Sequence, residues 1–307
     1  MNAGSRGSRA PAHIPAQAIG LIACSVLCFT LLDTSIKFLT KQYPVPLLVW
    51  ARWGVQMALL LLWLGPTMGA RLVRTARPRL QIVRGAILLC SSVFFVTALK
   101  YLPLAEATAI NYSTPIIVTL LAAWLLHERL TRARIGFVLA GFAGMLLIVR
   151  PGSAIVTGAA LLALAAAGFY AAFQILTRKL AGEDPRVTLF YPALVGTMLM
   201  TAYAPWIEFP AQVPLAHLVL IVAGGALGTL GHYLFILAFR RAPASGLTPF
   251  TYLQLVWATL IGWLVFGDFP DAHTLAGMGV IAGSGLLIVL HERRRAQTVL
   301  REPTAVD

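Results

Sequence analysis

The chain contains an internal repeat: the stretch from Ala98 to Val149 recurs about 140 residues later, from Ala238 to Val289. The first copy contains ALKYLPLAEATAINYSTP and ends in GMLLIV, while the second contains AFRRAPASGLTPFTYLQL and ends in SGLLIV. The matched pairs are Pro103 with Pro243, Thr108 with Thr248, Tyr112 with Tyr252, Thr119 with Thr259, and Glu128 with Asp268. A repeat of this size within apolar segments predicts a duplicated membrane bundle, an architecture found mostly in transporters.

The composition indicates that lipid is the solvent of this protein. Hydrophobic residues make up 59% of the 307 positions and charged residues 11%, with a mean hydropathy of +0.81. A soluble domain carries about 25% charged residues. The net charge of +13 is spread between apolar runs instead of forming one patch, which is typical of membrane orientation and argues against nucleic acid binding.

Ten segments are apolar and long enough to span a bilayer, which takes about 20 residues each. They cover 15–38, 45–65, 81–101, 104–126, 133–150, 155–178, 187–207, 216–239, 244–266 and 272–290. Five helices per repeat is an odd number, so the second repeat is predicted to enter the membrane upside down. The predicted fold is an all-α integral membrane protein of ten transmembrane helices in two inverted five-helix repeats. Its predicted parts are an N-terminal tail (1–14), a first repeat (15–150), a second repeat (151–291) and a basic C-terminal tail (292–307).

The distribution of Lys and Arg predicts the orientation in the membrane. On the predicted topology, 19 of the 24 basic residues fall on one side, and the other side or the membrane holds Lys37, Lys41, Arg52, Lys100 and Arg150. Because cytoplasmic loops carry the excess of basic residues, both termini are predicted to be cytoplasmic.

Ionisable residues inside the predicted spans cost about 2.5–3.5 kcal/mol each on insertion scales, so each needs an explanation. Asp33, Arg52 and Glu106 are predicted to line the substrate pathway, with Asp33 and Glu106 as candidates for proton coupling. The alternative is structural: Asp33 and Lys37 are spaced i, i+4 and pair, and Arg52 with Glu106 forms a gate or packing pair. Lys37 is expected near the interface, with its side chain snorkelling.

Polar and aromatic side chains elsewhere in the spans complete the predicted pathway, against the alternative of ordinary interhelical hydrogen bonding. These residues are Gln56, Asn111, Tyr112, Tyr170, Gln174, His232, Tyr252, Gln254 and Trp257. The second repeat lacks the acids of the first, since Gln174 aligns with Asp33, Tyr191 with Arg52 and Gly246 with Glu106. Close helix packing is predicted at Gly224, Gly228 and Gly231, and at Gly279 and Gly283.

Sequence motifs for other chemistry are absent. His127-Glu128-Arg129 lacks the second histidine of a zinc site, and no glycine-rich phosphate loop occurs. Cys24, Cys28 and Cys90 lie in apolar segments and are interpreted as packing residues. We therefore expect no metal, no cofactor and no enzymatic activity.

At these residues the chain resembles the drug/metabolite transporter superfamily, specifically its bacterial EamA-type members. ALKYLPLAEATAINYSTPIIVTLLAAWLLHERLTRARIGFVLAGFAGMLLIV and APASGLTPFTYLQLVWATLIGWLVFGDFPDAHTLAGMGVIAGSGLLIV each look like the last helices of an EamA repeat. Gly267-Asp268 departs conservatively from the Gly-Glu of many relatives. The resemblance implies a central cavity lined by helices one, three, four, six, eight and nine. At those positions stand Asp33, Asn111, Tyr112, Tyr170, Gln174, His232, Tyr252 and Gln254.

The sequence thus predicts a secondary active transporter working by alternating access in the bacterial inner membrane. Its solute is expected to be a small organic metabolite: amino-acid-like, vitamin or nucleoside-like. The partners expected are this solute, the lipid bilayer and a coupling proton, with monomer and homodimer both open. The alternative is a non-transporting scaffold or sensor, or a membrane-embedded enzyme.

Overall fold

The computed structural model of the protein describes residues 15–125, 132–149, 154–180, 182–242, 247 and 250–299. The described residues form helices joined by turns and two short 3₁₀ segments, Gly69–Val73 and Ala204–Trp206, without a strand. The helices of the first half are α1 (Ala16–Leu39), α2 (Val45–Met68), α3 (Pro78–Tyr101), α4 (Leu104–Asn111), α5 (Thr114–Leu125) and α6 (Arg132–Val149). Those of the second half are α7 (Ala154–Lys179), α8 (Pro185–Tyr203), α9 (Leu215–Arg241), α10 (Leu253–Phe266) and α11 (Ala272–Val299).

Eight of these segments are long and apolar enough to cross a membrane, and two shorter apolar helices accompany them. Together they give the ten-helix membrane bundle with two repeats that the sequence predicts. Below, the N end of the bundle is the end at which α1 begins. Successive helices run antiparallel, so α3 and α8 also begin on the N side, while α7 and α9 finish there.

Prolines define where several helices begin. Pro44, Pro103 and Pro214 are the N-cap residues of α2, α4 and α9, and Pro185 is the first residue of α8. Proline suits these positions because its fixed φ matches the helix and its missing N–H would have no intrahelical acceptor. At the other end of α10, Gly267 adopts a φ of 75°, a left-handed conformation that ends the helix.

The contacts between helices exchange symmetrically between the two halves. Helix α1 packs against α9. In the same way α7, the repeat mate of α1, packs against α3, which is the repeat mate of α9. Likewise α5 packs against α7 and α10 against α1, whereas α2 with α8 and α6 with α11 pair directly with their own mates. This pattern is what a two-fold relation between the repeats produces.

Glycines permit close approach at positions that differ in part from the predicted ones. Gly231 packs against Phe29, where a Cβ would lie 2.7 Å from the ring. The prediction for Gly279 and Gly283 is wrong, since a Cβ at either would meet nothing within 4 Å. The close contact of α6 with α11 lies instead at Gly144 and Gly277, where a Cβ would come within 3.0 Å of the facing backbone oxygen.

The fourth span is broken, where the sequence predicts one helix over 104–126. Helix α4 ends at Asn111, and α5 begins at Thr114. Pro115 explains the break, because it lacks an N–H and its ring clashes with the carbonyl four residues earlier, that of Asn111. The Thr114 hydroxyl donates to this carbonyl at 2.6 Å instead. In the ninth span Tyr252 is likewise a turn residue, directly before α10.

Candidate functional site

The two repeat-matched tyrosines meet in the middle of the bundle, each at a helix break. The ring centroids of Tyr112 and Tyr252 are 5.1 Å apart. The Tyr112 hydroxyl donates to the Thr251 carbonyl at 2.6 Å and lies 3.0 Å from Oε1 of Gln254. One repeat therefore bonds to the residues on either side of the break in the other.

The second tyrosine has no such bond. The Tyr252 hydroxyl is buried without a hydrogen-bond partner in the described structure. Its ring lies against the backbone of Gly285 so closely that a side chain there would overlap the hydroxyl. A buried polar group left unpaired costs about 1–3 kcal/mol. The centre of the molecule is thus asymmetric, although the sequence presents a matched pair.

Asp33 and Arg52 form the charged part of the centre, toward the end opposite the N end. Asp33 is 9% exposed and interacts electrostatically with the Arg52 guanidinium. Arg52 donates from Nη1 to the Ser92 hydroxyl at 3.2 Å, while its Nε is buried without a partner among the described residues. The Asp33 carboxylate also interacts electrostatically with Tyr112. The predicted acid and base therefore do lie near each other.

Lys37 neither pairs with Asp33 nor snorkels, so both structural interpretations of this residue are wrong. It is 8% exposed, and its Nζ donates to the carbonyls of Leu102 at 2.5 Å and Leu99 at 3.2 Å. The cause is Pro103, which has no N–H to offer the Leu99 carbonyl one turn before it. Lys37 supplies the missing donor at the C-terminus of α3, where a cation is also favoured by the helix dipole.

Glu106 lies in the first turn of α4, half-buried, and interacts electrostatically with Lys37. The four predicted ionisable residues therefore separate into two groups, Asp33 with Arg52 and Glu106 with Lys37. The suggested pairing of Arg52 with Glu106 is not among the contacts of Arg52.

The remaining predicted residues lie on several helices and differ in burial and in their contacts. Gln56 is 4% exposed on α2, and Gln174 is half-buried on α7. Tyr170 stacks on Phe173 at 5.7 Å, and His232 meets the edge of Phe29 at 4.9 Å. Asn111 and Trp257 each hold one buried polar atom, Oδ1 and Nε1 respectively, without a partner among the described residues.

Two polar residues of the N-end half differ from expectation. Tyr191, which aligns with Arg52 in the repeat, does not join the charged part of the centre: it donates to the carbonyl of Val73 in the 3₁₀ segment and so connects α8 to the end of α2. Arg84, one of the 19 basic residues that the predicted topology places on the cytoplasmic side, is 4% exposed. Its Nε donates to the Thr177 hydroxyl at 2.7 Å and its Nη1 to the Thr188 carbonyl at 2.9 Å. Its place within the apolar run of α3, after QIV, is the signal that sequence reasoning missed.

No group of three or more His, Cys, Asp or Glu side chains comes together among the described residues. The arrangement instead offers one carboxylate, one guanidinium, an aromatic pair and several unpaired hydrogen-bonding atoms within a two-repeat bundle. Polar groups gathered between the two repeats of a membrane bundle are typical of membrane transporters.

Comparison with known proteins identifies the family. The EamA-like transporter family matches twice, over residues 16–150 and 157–290. The chain therefore belongs to this family and is a multi-pass membrane transporter, not an enzyme.

Curated relatives extend over most of the chain. The S-adenosylmethionine uptake transporter of Rickettsia bellii is 28% identical over 74% of this chain and 77% of its own length. The riboflavin transporter of Rhizobium johnstonii is 29% identical over 88% of this chain and 89% of its own. The pseudopaline exporter of Pseudomonas aeruginosa is 27% identical over 85% and 89%. A solved crystal structure with 23% identity superimposes with a TM-score of 0.62, covering 91% of this chain and 98% of that one, and supports the fold.

Proposed function

We propose that the protein is a secondary active transporter that moves a small organic metabolite across the bacterial inner membrane by alternating access. The two repeats are inverted relative to each other, and both termini face the cytoplasm. The relatives are named for S-adenosylmethionine, riboflavin and pseudopaline, so a metabolite of this size range is the solute class we assign.

The observation that carries the proposal is the asymmetry of the tyrosine pair. In an inverted-repeat transporter, the two access states arise when the repeats exchange conformations. The repeat mates of Thr251 and Gln254 are Asn111 and Thr114, which offer a carbonyl and a hydroxyl. In the opposite state, Tyr252 would donate to the Asn111 carbonyl beside the Thr114 hydroxyl, and Tyr112 would lose its partners. Such an exchange requires that, in each state, one tyrosine hydroxyl is hydrogen-bonded and the other has no partner.

Asp33 and Arg52 are assigned to the solute pathway, with Asp33 and Glu106 as the sites of proton coupling. Neither the Nε of Arg52 nor the carboxylate of Asp33 makes a hydrogen bond among the described residues, so both have capacity left for a solute. Buried polar groups of this kind reject solutes that fail to pair with them, because the unmade bonds cost free energy.

The test uses the two matched tyrosine variants, each of which removes one hydroxyl. Tyr112→Phe removes the bonded hydroxyl, so we expect it to shift the population away from the described state. Tyr252→Phe removes the orphaned hydroxyl, so we expect the reverse shift. Spin labels at Tyr101 and Leu215, and in a second protein at Arg79 and Arg241, report the separation of α3 and α9 at each end of the bundle by pulsed electron resonance.

Shifts in opposite directions, with the two ends opening reciprocally, support alternating access. Shifts in the same direction, or distances unchanged in both variants, contradict the exchange. Transport itself is established by counterflow in proteoliposomes loaded with metabolites that raise the melting temperature of the purified protein, since ligands that bind the folded state stabilise it.

A further inference from the structure

Arg84 is the most enclosed arginine among the described residues and lies where α3, α7 and α8 meet near the N end. Besides its bonds to Thr177 and Thr188, its Nη1 donates to Oε1 of Gln81 at 3.1 Å. The guanidinium stands 4.5 Å from the ring centroid of Phe173. Its Nη2 makes no hydrogen bond within the described structure. Every bonded partner is neutral.

Among the described residues, no carboxylate interacts with this guanidinium. The ranges of α3, α7 and α8 contain no Asp or Glu, and of the 11 acidic residues only Asp33 and Glu106 lie within α1 to α10. Asp33 interacts with Arg52, and Glu106 interacts with Lys37. Because a guanidinium does not lose its proton in proteins, Arg84 is a buried positive charge without a counter-ion in the part of the chain that the structure describes.

The position of Arg84 connects it with the candidate pathway. The Phe173 ring beneath the Arg84 guanidinium stacks on Tyr170 of α7, with 5.7 Å between the ring centroids. Arg84 also interacts electrostatically with Tyr170 and with His232 on α9. His232 interacts in the same way with Arg52. His232 therefore lies within electrostatic range of two arginines, one in each half of the membrane. Of these two arginines, only Arg52 has an acid beside it among the described residues.

We propose that Arg84 is an anion-binding residue of the transport pathway, which receives a carboxylate or phosphate group of the transported solute. This inference rests on the proposed transport function and deepens it, because it assigns a negatively charged group to the solute. The planar guanidinium presents a fork of N–H donors that matches carboxylate and phosphate oxygens. The neutral partners satisfy three hydrogen bonds but no charge, and an anion would supply the missing compensation.

The competing role for Arg84 is purely structural: it would hold α3, α7 and α8 together by hydrogen bonds. Loss of these bonds would lower the stability of the ligand-free protein and leave the charge preference for ligands unchanged. The anion-binding role instead changes which solutes bind. A charge-matched ligand series therefore separates the two roles.

The experiment measures melting temperature and affinity for the full chain in phosphatidylcholine nanodiscs, which carry no net lipid charge. The probes are benzoate, benzamide and benzylamine, riboflavin and riboflavin 5′-phosphate, and adenosine and its 5′-phosphate. We expect anionic members to bind more tightly than their neutral and cationic partners. Arg84→Gln should weaken anion binding by about tenfold to a hundredfold, the range for a charged hydrogen bond, and Arg84→Lys by less. Arg79→Gln, which removes an exposed charge from the same helix, should change nothing.

Equal binding of neutral and anionic partners would overturn the assignment, as would anion preference that survives in Arg84→Gln, or a series in which no anion binds. Counterflow of a neutral or cationic solute by Arg84→Gln at the wild-type rate would overturn the anion site alone and leave the transport function standing. Absence of counterflow for every binding solute would instead remove the transport function.

Discussion

The two repeats share a topology but differ in how they use their equivalent positions. In the first repeat, Asp33 and Arg52 place opposite charges beside each other within the bundle. In the second, the equivalent Gln174 is half-buried, and the equivalent Tyr191 bonds to Val73 at the N end. The helix pairing is exchanged symmetrically between the repeats, so the backbone retains the duplication while the polar side chains have diverged.

The tyrosine pair shows the same contrast at closer range. Tyr112 and Tyr252 are identical residues at equivalent breaks, yet only Tyr112 has hydrogen-bond partners among the described residues. Their surroundings also differ, since Tyr252 lies against Gly285, whose repeat mate is Met145. The two tyrosines therefore have different surroundings, so the two access states need not be equal in free energy.

The largest effect is expected where the charge difference between the repeats is removed. Asp33→Asn leaves Arg52 without its acid, and breaking a buried pair in this way costs about 3–5 kcal/mol. The melting temperature should therefore fall. Transport in proteoliposomes should fall at least about tenfold, because the solute pathway loses a charged hydrogen-bonding group. Gln174→Ala, the matched change in the second repeat, should have a much smaller effect.

The double variant Asp33→Asn with Arg52→Gln sharpens this result. It removes both charges, so thermal stability should return toward wild type, whereas transport should stay low because the pathway groups are gone. Recovery of transport along with stability would show that the pair is structural. Equal losses for Asp33→Asn and Gln174→Ala would remove the contrast between the repeats.

The next effect concerns the space that Gly285 leaves for Tyr252. A Cβ in Gly285→Ala would overlap the tyrosine hydroxyl, and overpacking of this kind costs about 1–3 kcal/mol. The melting temperature measured by differential scanning fluorimetry should fall. Adding Tyr252→Phe, which deletes the overlapping oxygen, should restore most of the loss.

Gly283→Ala provides the matched control for Gly285→Ala, half a turn away on the same helix. A Cβ there meets nothing within 4 Å, so stability should be unchanged or rise by about 0.5–1 kcal/mol from the better helix propensity of alanine. A Gly285→Ala protein as stable as Gly283→Ala would mean that Tyr252 does not occupy this position in the membrane.

Sequence reasoning predicts most of the fold because the repeat, the lengths of the apolar runs and the prolines all carry information along the chain. It finds the Tyr112 and Tyr252 match for the same reason. It fails where the outcome depends on contacts across the bundle. Lys37 bonds to α3 only because Pro103 removes a donor there, and Arg84 is buried only because α7 and α8 cover it. Neither fact is visible in the spacing of residues on one helix.

The close contact between α6 of the first repeat and α11 of the second tests how tightly the two repeats pack. Gly277→Ala would place a Cβ 2.6 Å from the Gly144 carbonyl oxygen. Because backbone cannot move aside as a side chain does, the two helices must separate, at an expected cost of about 1–3 kcal/mol. Gly279→Ala, at a position with open space, should leave the melting temperature unchanged. An equal response of the two variants would contradict the contact.

The smallest effect is expected at the helices that follow the first span of each repeat. Helix α8 is capped by Asp184, whose carboxylate accepts from the Arg186 N–H at 2.8 Å, while the N-cap of its mate α2 is Pro44 without a side-chain bond. The hydrogen bonds from the Arg186 side chain and N–H hold the pKa of Asp184 below its ordinary value. Since the folded-state pKa is the lower one, the cap stabilises the protein above the unfolded-state pKa, and its contribution is lost as the pH falls through the folded-state pKa.

Asp184→Asn, which keeps a capping oxygen without the charge, should therefore lower the melting temperature slightly at pH 7 and not at all once the wild-type carboxyl is protonated. Because the pair is exposed to solvent, salt should shrink the difference, and a difference that persists unchanged at low pH would show that the charge of Asp184 contributes nothing to this helix start.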